Sequence, residues 1–197
     1  GDVITHATPR TLTEADASLY ISIYPTRFAL QSSAEFARNC GLKDRPLDDL
    51  IVFHTVFGKT VPDISINAVA NLGYAEGKFS NMVFSGETLS VKSEIIGLKQ
   101  NSSGKTGIVY VKTRGQNSSG ETILEYKRWV MVKKRFVGVE DTPSNLPHFK
   151  TSLDGSKLNI PEQLHFTKYD TSAAGSKKSF NDYQVGELID HIDGNTI

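Results

Sequence analysis

The sequence predicts an α+β fold that combines one long central helix with long antiparallel strands. Two observations carry this prediction. Residues 83–136 form three runs of alternating or β-branched side chains between glycine-containing turns, and residues 50–59 repeat apolar side chains at a helical period. A buried helix next to antiparallel strands is typical of an α+β domain. The length of 197 residues suits one domain or slightly more, at roughly 100–200 residues per domain.

Three strands are predicted between residues 83 and 136. Turns at Asn101–Gly104 and Asn117–Gly120 separate the runs Thr88–Lys99, Gly107–Thr113 and Thr122–Lys133. Alternation with a period of two between such turns indicates an antiparallel meander. The side chains expected in the core are Phe53, Val56, Phe57, Val109, Val111, Leu124, Tyr126, Val130 and Val132.

The central helix is predicted over Leu50–Lys59, where apolar residues recur every three to four positions. Asp48 and Asp49 suit its N-terminus, because the helix dipole favours negative charge there. Pro62 is expected to stop the helix soon after Gly58. The other expected elements are short helices at 13–23 and 33–39 and a strand at 64–79.

Composition and charge exclude several classes of protein. Hydrophobic residues make up 38% of the chain, which is enough for a core and excludes wholesale disorder. The 22 basic and 22 acidic residues give no net charge, so we expect neither a nucleic-acid nor a membrane partner. The single cysteine, Cys40, excludes a disulfide framework and a cysteine-based metal site. Without an apolar membrane span or a signal peptide, a cytoplasmic location is expected.

The chain is predicted to divide into three parts. Residues 1–137 hold the elements above, whereas prolines and small polar residues interrupt every period over 138–178, which indicates a connector. The segment Gly186–Ile197 repeats Gly1–Leu12, with Gly, Ile, His and Thr at corresponding positions. We therefore interpret 179–197 as the first strand of a second, incomplete copy, and we expect a longer parent chain.

Three polar residues are interpreted as structural. His54 lies on the apolar helix and is expected to be a core histidine. His6 is expected to pack at a strand start or to bond to backbone, and Asp63, which follows Pro62, is expected to close a turn.

Several motifs resemble those of MaoC-like hydratases. Val83–Leu89 is similar to the PV-x-x-GDTL turn of that family, Thr11–Asp16 to its TVTEAD helix start, and Ala34–Ala37 to its EFA segment. The longer stretches Phe53–Ser65 and Asn67–Glu76 resemble one subgroup, the mesaconyl-CoA hydratases, also called β-methylmalyl-CoA dehydratases.

The resemblance implies a hot-dog fold, in which an antiparallel sheet wraps around one long helix, and a tandem double hot dog whose first copy is this chain. It also implies reversible hydration of a branched, unsaturated dicarboxylic acyl-CoA. Such a reaction needs a base, an acid and donors to the thioester enolate, and no metal or organic cofactor. The implied partners are the acyl-CoA and a second repeat of the same chain; the oligomeric state stays open, and a homo-oligomer is compatible with the sequence.

The catalytic loop of the family, GD-x-N-P-x-H, falls on residues 25–31. Thr26 occupies its aspartate position and Gln31 its histidine position, and neither side chain is an acid or base near neutral pH. The HG helix start of the family falls on His54 and Thr55. The resemblance therefore implies a degenerate first repeat, with the catalytic acid and base in the second repeat.

Five residues are candidate contacts to the acyl-CoA. Arg27, in the aligned loop, can pair with a carboxylate or a phosphate, although a surface ion pair also explains it. The strand that contains Asn71, Gly73, Tyr74 and Lys78 borders the acyl-CoA tunnel in relatives. Glycine lets a ligand approach the backbone, but a β-bulge explains Gly73 equally well.

Two other functions stay open. A non-catalytic acyl-CoA-binding module is one, because this portion lacks the catalytic pair. A hot-dog thioesterase is the other, and it needs a carboxylate on or beside the central helix. Asp48 and Asp49 are available there, although helix capping explains them.

Overall fold

The structure is a computed structural model that describes residues 1–24, 26, 28–137, 144–152, 154–158, 160–162, 164–165, 167 and 177–188. It contains two compact units. Unit 1 consists of Gly1–Ala17 and Leu47–Ile160, and unit 2 consists of Ser18–Pro46 and Pro161–Ile197. Among the helices of the described ranges, none combines the length and the hydrophobicity that a membrane crossing requires.

Unit 1 is built around an antiparallel sheet. Within the described ranges, its strands are β1 (Val3–Thr5), β2 (Arg10–Thr11), β3 (Ala68–Phe79), β4 (Thr88–Gln100), β5 (Thr106–Gln116) and β6 (Thr122–Lys133). The order across the sheet is β1-β4-β5-β6-β3, and β2 also pairs with β4. The predicted meander is β4–β5–β6 and is confirmed. Strand β3 pairs with β6 and forms one edge of the sheet.

The helices of the described chain are α1 (Glu14–Ile23), α2 (Ala29–Ser32), α3 (Ala34–Asn39) and α4 (Asp49–Thr60). Helix α4 is the predicted central helix and is confirmed. The Leu50 N–H donates to the Asp48 carboxylate at 2.7 Å, so Asp48 is the N-cap, as its position predicts. At α1, the Thr13 N–H donates to the Asp16 carboxylate at 2.9 Å, which confirms the predicted start.

Helix α4 packs closely against β5 because Gly115 has no side chain. A Cβ atom at Gly115 would lie 2.5 Å from Val56 Cγ2, which is too close for two carbon atoms. Val56 is itself completely buried. The long helix and the middle of the sheet therefore share one core.

The prediction for the segment after α4 is wrong in two respects. Pro62 does not end the helical winding, because Val61–Ser65 continue it as a π-helical turn. Pro62 lies at one of the first two positions of that segment, where the fixed φ of proline suits helical winding. The next strand accordingly begins at Ala68 rather than near residue 64.

The predicted core is confirmed in part. The buried members are Val56, Val111, Leu124, Tyr126 and Val130. The half-buried members are Phe53, Phe57, Val109 and Val132. Val109 and Val132 are half-buried because they pack at the margin of the cluster formed by Ile64, Val111 and Val130.

Part of the predicted connector packs on the face of the sheet away from α4. Asn145 and Leu98 exchange two backbone hydrogen bonds, of 2.9 and 3.0 Å. Phe149 stacks on Trp129, with the ring centroids 5.0 Å apart. Residues 144–150 therefore belong to the fold of unit 1.

Unit 2 contains α2 and α3. Ser33 caps α3, because its hydroxyl oxygen accepts the Phe36 N–H at 3.1 Å, and the predicted helix at 33–39 is confirmed. The backbone N–H of His165 donates to the Cys40 carbonyl at 2.9 Å.

The predicted strand of a second copy falls mainly on residues 189–197, which lie outside the described residues. Before them, Phe180–Asp182 form a short 3-10 turn, and a reciprocal capping box with Ser179 closes it. The domain boundaries after residues 137 and 178 stay predictions.

Candidate functional site

The loop with the two degenerate positions brings their side chains together. Thr26 is buried, and its hydroxyl donates to Gln31 Oε1 at 3.3 Å. Thr26 Oγ1 also accepts the Phe28 N–H, at 3.2 Å. A hydroxyl and an amide can orient a group, but neither ionises near neutral pH, so neither serves as a general acid or base. Arg27 lies outside the described residues.

The four candidates on β3 lie at the edge of the sheet but do not share one face. Gly73 lies against Trp129, and a Cβ atom there would be 2.5 Å from Trp129 Cζ2. Tyr74 lies on the other face, where its ring contacts two phenylalanine rings of α4. The pairing with β6 also shifts between Asn71 and Gly73. Tight packing and a bulge thus explain Gly73, and ligand contact by Asn71, Gly73, Tyr74 and Lys78 stays a prediction.

The sheet face toward α4 carries a completely buried arginine that the sequence analysis missed. Arg128 has no exposed surface and lies on β6 between the buried residues Tyr126 and Val130. Its Nη2 atom donates to Thr60 Oγ1 at 2.9 Å and to Ser65 Oγ at 3.0 Å. Its Nε and Nη1 atoms have no hydrogen-bond partner in the described part of the chain. The side chain is therefore anchored at one nitrogen and unsatisfied at two.

Arg128 is also electrostatically uncompensated. None of the ion pairs between described residues includes it. Desolvation lowers the pKa of Arg128 below its ordinary value, yet a guanidinium in a protein stays charged. Burying a cation without a counter-charge costs about several kcal/mol. This position therefore favours an anion.

Tyr126 adds a second unsatisfied donor beside Arg128. Its hydroxyl is buried and makes no hydrogen bond of normal geometry within the described residues, although the Thr113 and Thr60 hydroxyls lie near enough to offset part of the effect of burial on its pKa. Burial raises the pKa of Tyr126 to about 12, so the hydroxyl keeps its proton and can donate at neutral pH. Arg128 and Tyr126 together present hydrogen-bond donors with no negatively charged group beside them, which suits an anionic oxygen.

Aromatic rings surround these two donors. The Tyr126 ring lies 5.4 Å from Phe53 and 6.0 Å from Tyr74, measured between centroids. The Arg128 guanidinium lies 4.8 Å from the centre of the Phe57 ring, a cation–π distance. Tyr74 is 45% exposed, so one wall of this cluster reaches the surface. We call Arg128, Tyr126, Tyr74, Phe53 and Phe57 the arginine cluster.

One signal for Arg128 is present in the sequence. Side chains alternate along a strand, so Arg128 must lie on the same face as the apolar residues Tyr126 and Val130. A charged residue at a core position of a strand is rare without a partner. The alternation thus predicts an unusual arginine, although it does not predict what the arginine contacts.

A second buried polar group joins residues that are distant in the sequence. His6 Nδ1 lies 2.6 Å from the Asp63 carboxylate, and His6 Nε2 lies 2.8 Å from Ser93 Oγ. Ser93 Oγ lies 2.8 Å from Thr113 Oγ1. The order of acid, histidine and serine resembles a catalytic triad, but the buried Ser93 hydroxyl is already held between His6 and Thr113 and is not left free as a nucleophile. This chain of hydrogen bonds is structural, in agreement with the structural interpretation of both residues. It differs in detail, because the His6 ring bonds to side chains rather than to backbone, and Asp63 bonds to His6 besides following Pro62.

His54 is exposed, so its assignment as a core histidine is wrong. It lies on the side of α4 away from the buried residues Val52 and Val56. There it forms part of a cleft of about 400 Å³ whose lining also includes Arg10 and Lys59.

Comparison with known proteins identifies the family. Residues 1–165 match the family model of mesaconyl-CoA hydratase. Over 197 residues, the chain is 53% identical to the mesaconyl-CoA hydratase of Cereibacter sphaeroides and 52% identical to the beta-methylmalyl-CoA dehydratase of Chloroflexus aurantiacus. The match covers 100% of this chain but only 57% and 56% of those proteins, so the chain spans little more than half the length of these relatives.

Solved structures support the same assignment. The chain superimposes on a MaoC domain protein dehydratase from Chloroflexus aurantiacus with a TM-score of 0.85 and 51% identity, over 98% of this chain and 55% of the other. A double hot-dog protein from Mycobacterium tuberculosis matches with a TM-score of 0.68 and 20% identity, over 89% of this chain and 55% of the other, which shows the fold alone. The predicted hot-dog fold is confirmed, and its extent corresponds to a first copy. The chain belongs to the mesaconyl-CoA hydratase family.

Proposed function

We propose that the protein containing this chain is an acyl-CoA hydro-lyase. It adds or removes water across the double bond of a branched, unsaturated dicarboxylic acyl-CoA such as mesaconyl-CoA. The observation that carries the proposal is the identity of 53% and 52%, over the whole chain, to a mesaconyl-CoA hydratase and a beta-methylmalyl-CoA dehydratase. Hydratase and dehydratase name opposite directions of one type of reaction. The assay below uses the direction of hydration.

The acid and base of this reaction are proposed to lie in a second hot-dog repeat of the same protein. Hydration needs groups that transfer protons near neutral pH. Thr26 and Gln31 hold each other by a hydrogen bond but cannot transfer protons. The role proposed for this chain is to shape the acyl-CoA site and to hold the substrate.

Strand β3 supports a partner at the edge of the sheet. It exposes the apolar side chains Val69 and Leu72, of which 53% and 40% are accessible. Proteins normally cover an apolar edge strand, because its free backbone groups and side chains invite association. The proposed partner is the second repeat, and homo-oligomers of the full-length protein are compatible with it.

The proposal includes no metal ion or organic cofactor. General acid–base catalysis and hydrogen bonds to a thioester enolate are sufficient for hydration. A cytoplasmic location is also proposed, on the basis of the single cysteine, Cys40, which is free and buried.

The test is an assay of the full-length protein with mesaconyl-CoA. Loss of the enoyl-thioester absorbance is followed together with release of free CoA thiol, which a thiol-reactive dye detects. Absorbance loss without thiol release is the expected result. Loss with an equal amount of thiol would identify a thioesterase instead. Binding of mesaconyl-CoA with neither change would identify a non-catalytic acyl-CoA-binding module.

A further inference from the structure

The arginine cluster contains donors that nothing in the described chain uses. A guanidinium has five N–H bonds. The two on Nη2 are directed to Thr60 and Ser65, and those on Nε and Nη1 have no acceptor among the described residues. We propose that Arg128, together with the Tyr126 hydroxyl, binds the free carboxylate of the dicarboxylic acyl group. This inference rests on the proposed function, since it specifies how that substrate is recognised.

The acidic side chains nearest to Arg128 in sequence on these strands form ion pairs with other residues. Glu76 pairs with Lys127 at 2.8 Å. Glu125 forms ion pairs with Lys112, at 3.1 Å, and with Arg114. The described chain therefore supplies Arg128 with no counter-charge of its own. A buried cation in this state gains more from an incoming carboxylate than an exposed arginine does, because there is less water to displace and to screen the pair.

The position of Arg128 in the sheet gives a ligand a short approach. Arg128 is the direct cross-strand neighbour of Tyr74, which lies on the edge strand β3. Directly opposed side chains on neighbouring strands have Cβ atoms about 5 Å apart on the same face. Tyr74 is 45% exposed, whereas Arg128 is completely covered. One side chain on the edge strand thus separates the cation from the open edge of unit 1.

The surroundings favour a carboxylate on a short carbon chain over a phosphate. Phe53, Phe57 and Tyr74 form an apolar wall around the two donors, with ring centroids about 6 Å apart. Such a wall suits the methyl-branched carbons that precede the free carboxylate. The phosphates of CoA carry more charge and more tightly held water, and nothing else in the cluster is positively charged to receive them.

The experiment compares two substrates of the full-length protein. One is mesaconyl-CoA, and the other is 2-methylbut-2-enoyl-CoA, in which a methyl group replaces the free carboxylate. In Arg128→Gln, the ratio of kcat/KM for mesaconyl-CoA to that for the methyl analogue should fall roughly 10- to 100-fold, which is the loss expected for hydrogen bonds to a charged group. Arg128→Lys keeps the charge and should retain part of the preference. Arg114→Gln, at an exposed arginine of the neighbouring strand, is the matched control and should leave the ratio unchanged.

Binding measurements separate the carboxylate from other anions and from the proposed function. Calorimetry gives the Kd of mesaconyl-CoA, of the methyl analogue and of CoA alone. Arg128→Gln should raise the Kd of mesaconyl-CoA and leave the Kd of the methyl analogue and of CoA unchanged. An equal loss of affinity for CoA alone would show that Arg128 binds a phosphate of CoA, and it would overturn the inference. If the wild type binds mesaconyl-CoA through Arg128 but hydrates neither thioester, the proposed function fails and the inference stands.

Tyr126→Phe provides a test that leaves the buried cation in place. It removes only the phenolic oxygen, and circular dichroism checks that the fold is kept. The preference for mesaconyl-CoA should fall several-fold, in the same direction as in Arg128→Gln. An equal loss of kcat/KM for both thioesters in both variants would show a purely structural role and would overturn the inference.

Discussion

His6 and Asp63 are 57 positions apart in the sequence, yet their side chains meet at 2.6 Å. This contact joins the end of β1 to the π-helical turn that follows α4. The other ring nitrogen of His6 continues the connection to Ser93 on β4. One imidazole therefore links the first strand, the turn after the central helix and the middle of the sheet.

Replacing His6 by alanine should lower the free energy of unfolding by roughly 1–3 kcal/mol, because Ser93 would lose one of its two buried hydrogen-bond partners. Asp63 is 40% exposed, so its carboxylate can turn to water and adds less. Urea denaturation followed by circular dichroism measures the change. Arg38→Ala breaks the exposed pair with Asp44 and serves as a control, with an expected change below about 1 kcal/mol. A His6→Ala protein as stable as the wild type would contradict a structural role for this network.

Gly115→Ala should destabilise the protein by roughly 1–3 kcal/mol, because the added methyl group meets Val56 at 2.5 Å and the core has no room for it. In a Val56→Ala protein the added methyl group would occupy space that Val56 leaves. The double variant should therefore be more stable than Val56→Ala alone. Gly58→Ala is the matched control, since nothing lies within 4 Å of a Cβ there. In a helix, that change should stabilise by about 0.5–1 kcal/mol. Equal melting temperatures for the Gly115→Ala protein and the wild type would disprove the close approach of α4 and β5.

Acid should weaken the contact between Glu76 and the lysines around it. Hydrogen bonds from the Lys127 side chain and then from the Lys150 backbone lower the pKa of Glu76 below its ordinary value. A lowered folded-state pKa means that this stabilisation is complete above pH of about 4.3, the ordinary glutamate value, and is lost as the pH falls through the folded-state pKa.

Glu76→Gln should therefore be less stable than the wild type by about 1 kcal/mol or less at pH 6, and the two proteins should converge as the pH falls through the folded-state pKa of Glu76. Thermal melts across this range test the prediction. A stability difference between the two proteins that stays constant with pH would show that it does not come from the ionised carboxylate.

Changing the degenerate pair should alter turnover little. Thr26→Val with Gln31→Leu removes their mutual hydrogen bond but no acid or base. A true general acid–base residue typically contributes about 10²–10⁴-fold in rate, so the loss of kcat in the full-length protein should stay well under a hundredfold. Assays with mesaconyl-CoA measure it, with circular dichroism to confirm the fold. A larger loss in a folded protein would place the chemistry in this repeat.

The elements that were predicted correctly are those whose signal is local. The alternation over residues 122–133 reveals β6, and the Asp48 cap marks the start of α4 without reference to distant residues. The π-helical turn at Pro62 was missed because proline usually signals the end of a helix. Proline is tolerated in the first turn of a helical segment, and the local sequence does not show that a new segment begins at Val61.

The contacts of the candidate site depend on tertiary structure, which local patterns do not encode. The alternation of β6 places Arg128 on the core face, but only the folded chain brings Thr60 and Ser65 to its Nη2 atom. The pairing of Tyr74 with Arg128 likewise depends on the register between β3 and β6, which bulges shift. The interpretation of His54 failed because an apolar helix can still expose a polar residue on its outer side.

The stack of Phe149 on Trp129 gives the protein a built-in optical probe. The 197 residues contain one tryptophan, and its indole is sandwiched between the sheet and the segment that crosses it. Release of that segment would expose the indole to water and shift its emission to longer wavelength. The fluorescence of Trp129 therefore reports attachment of residues 144–150 separately from the unfolding of the sheet, which circular dichroism follows.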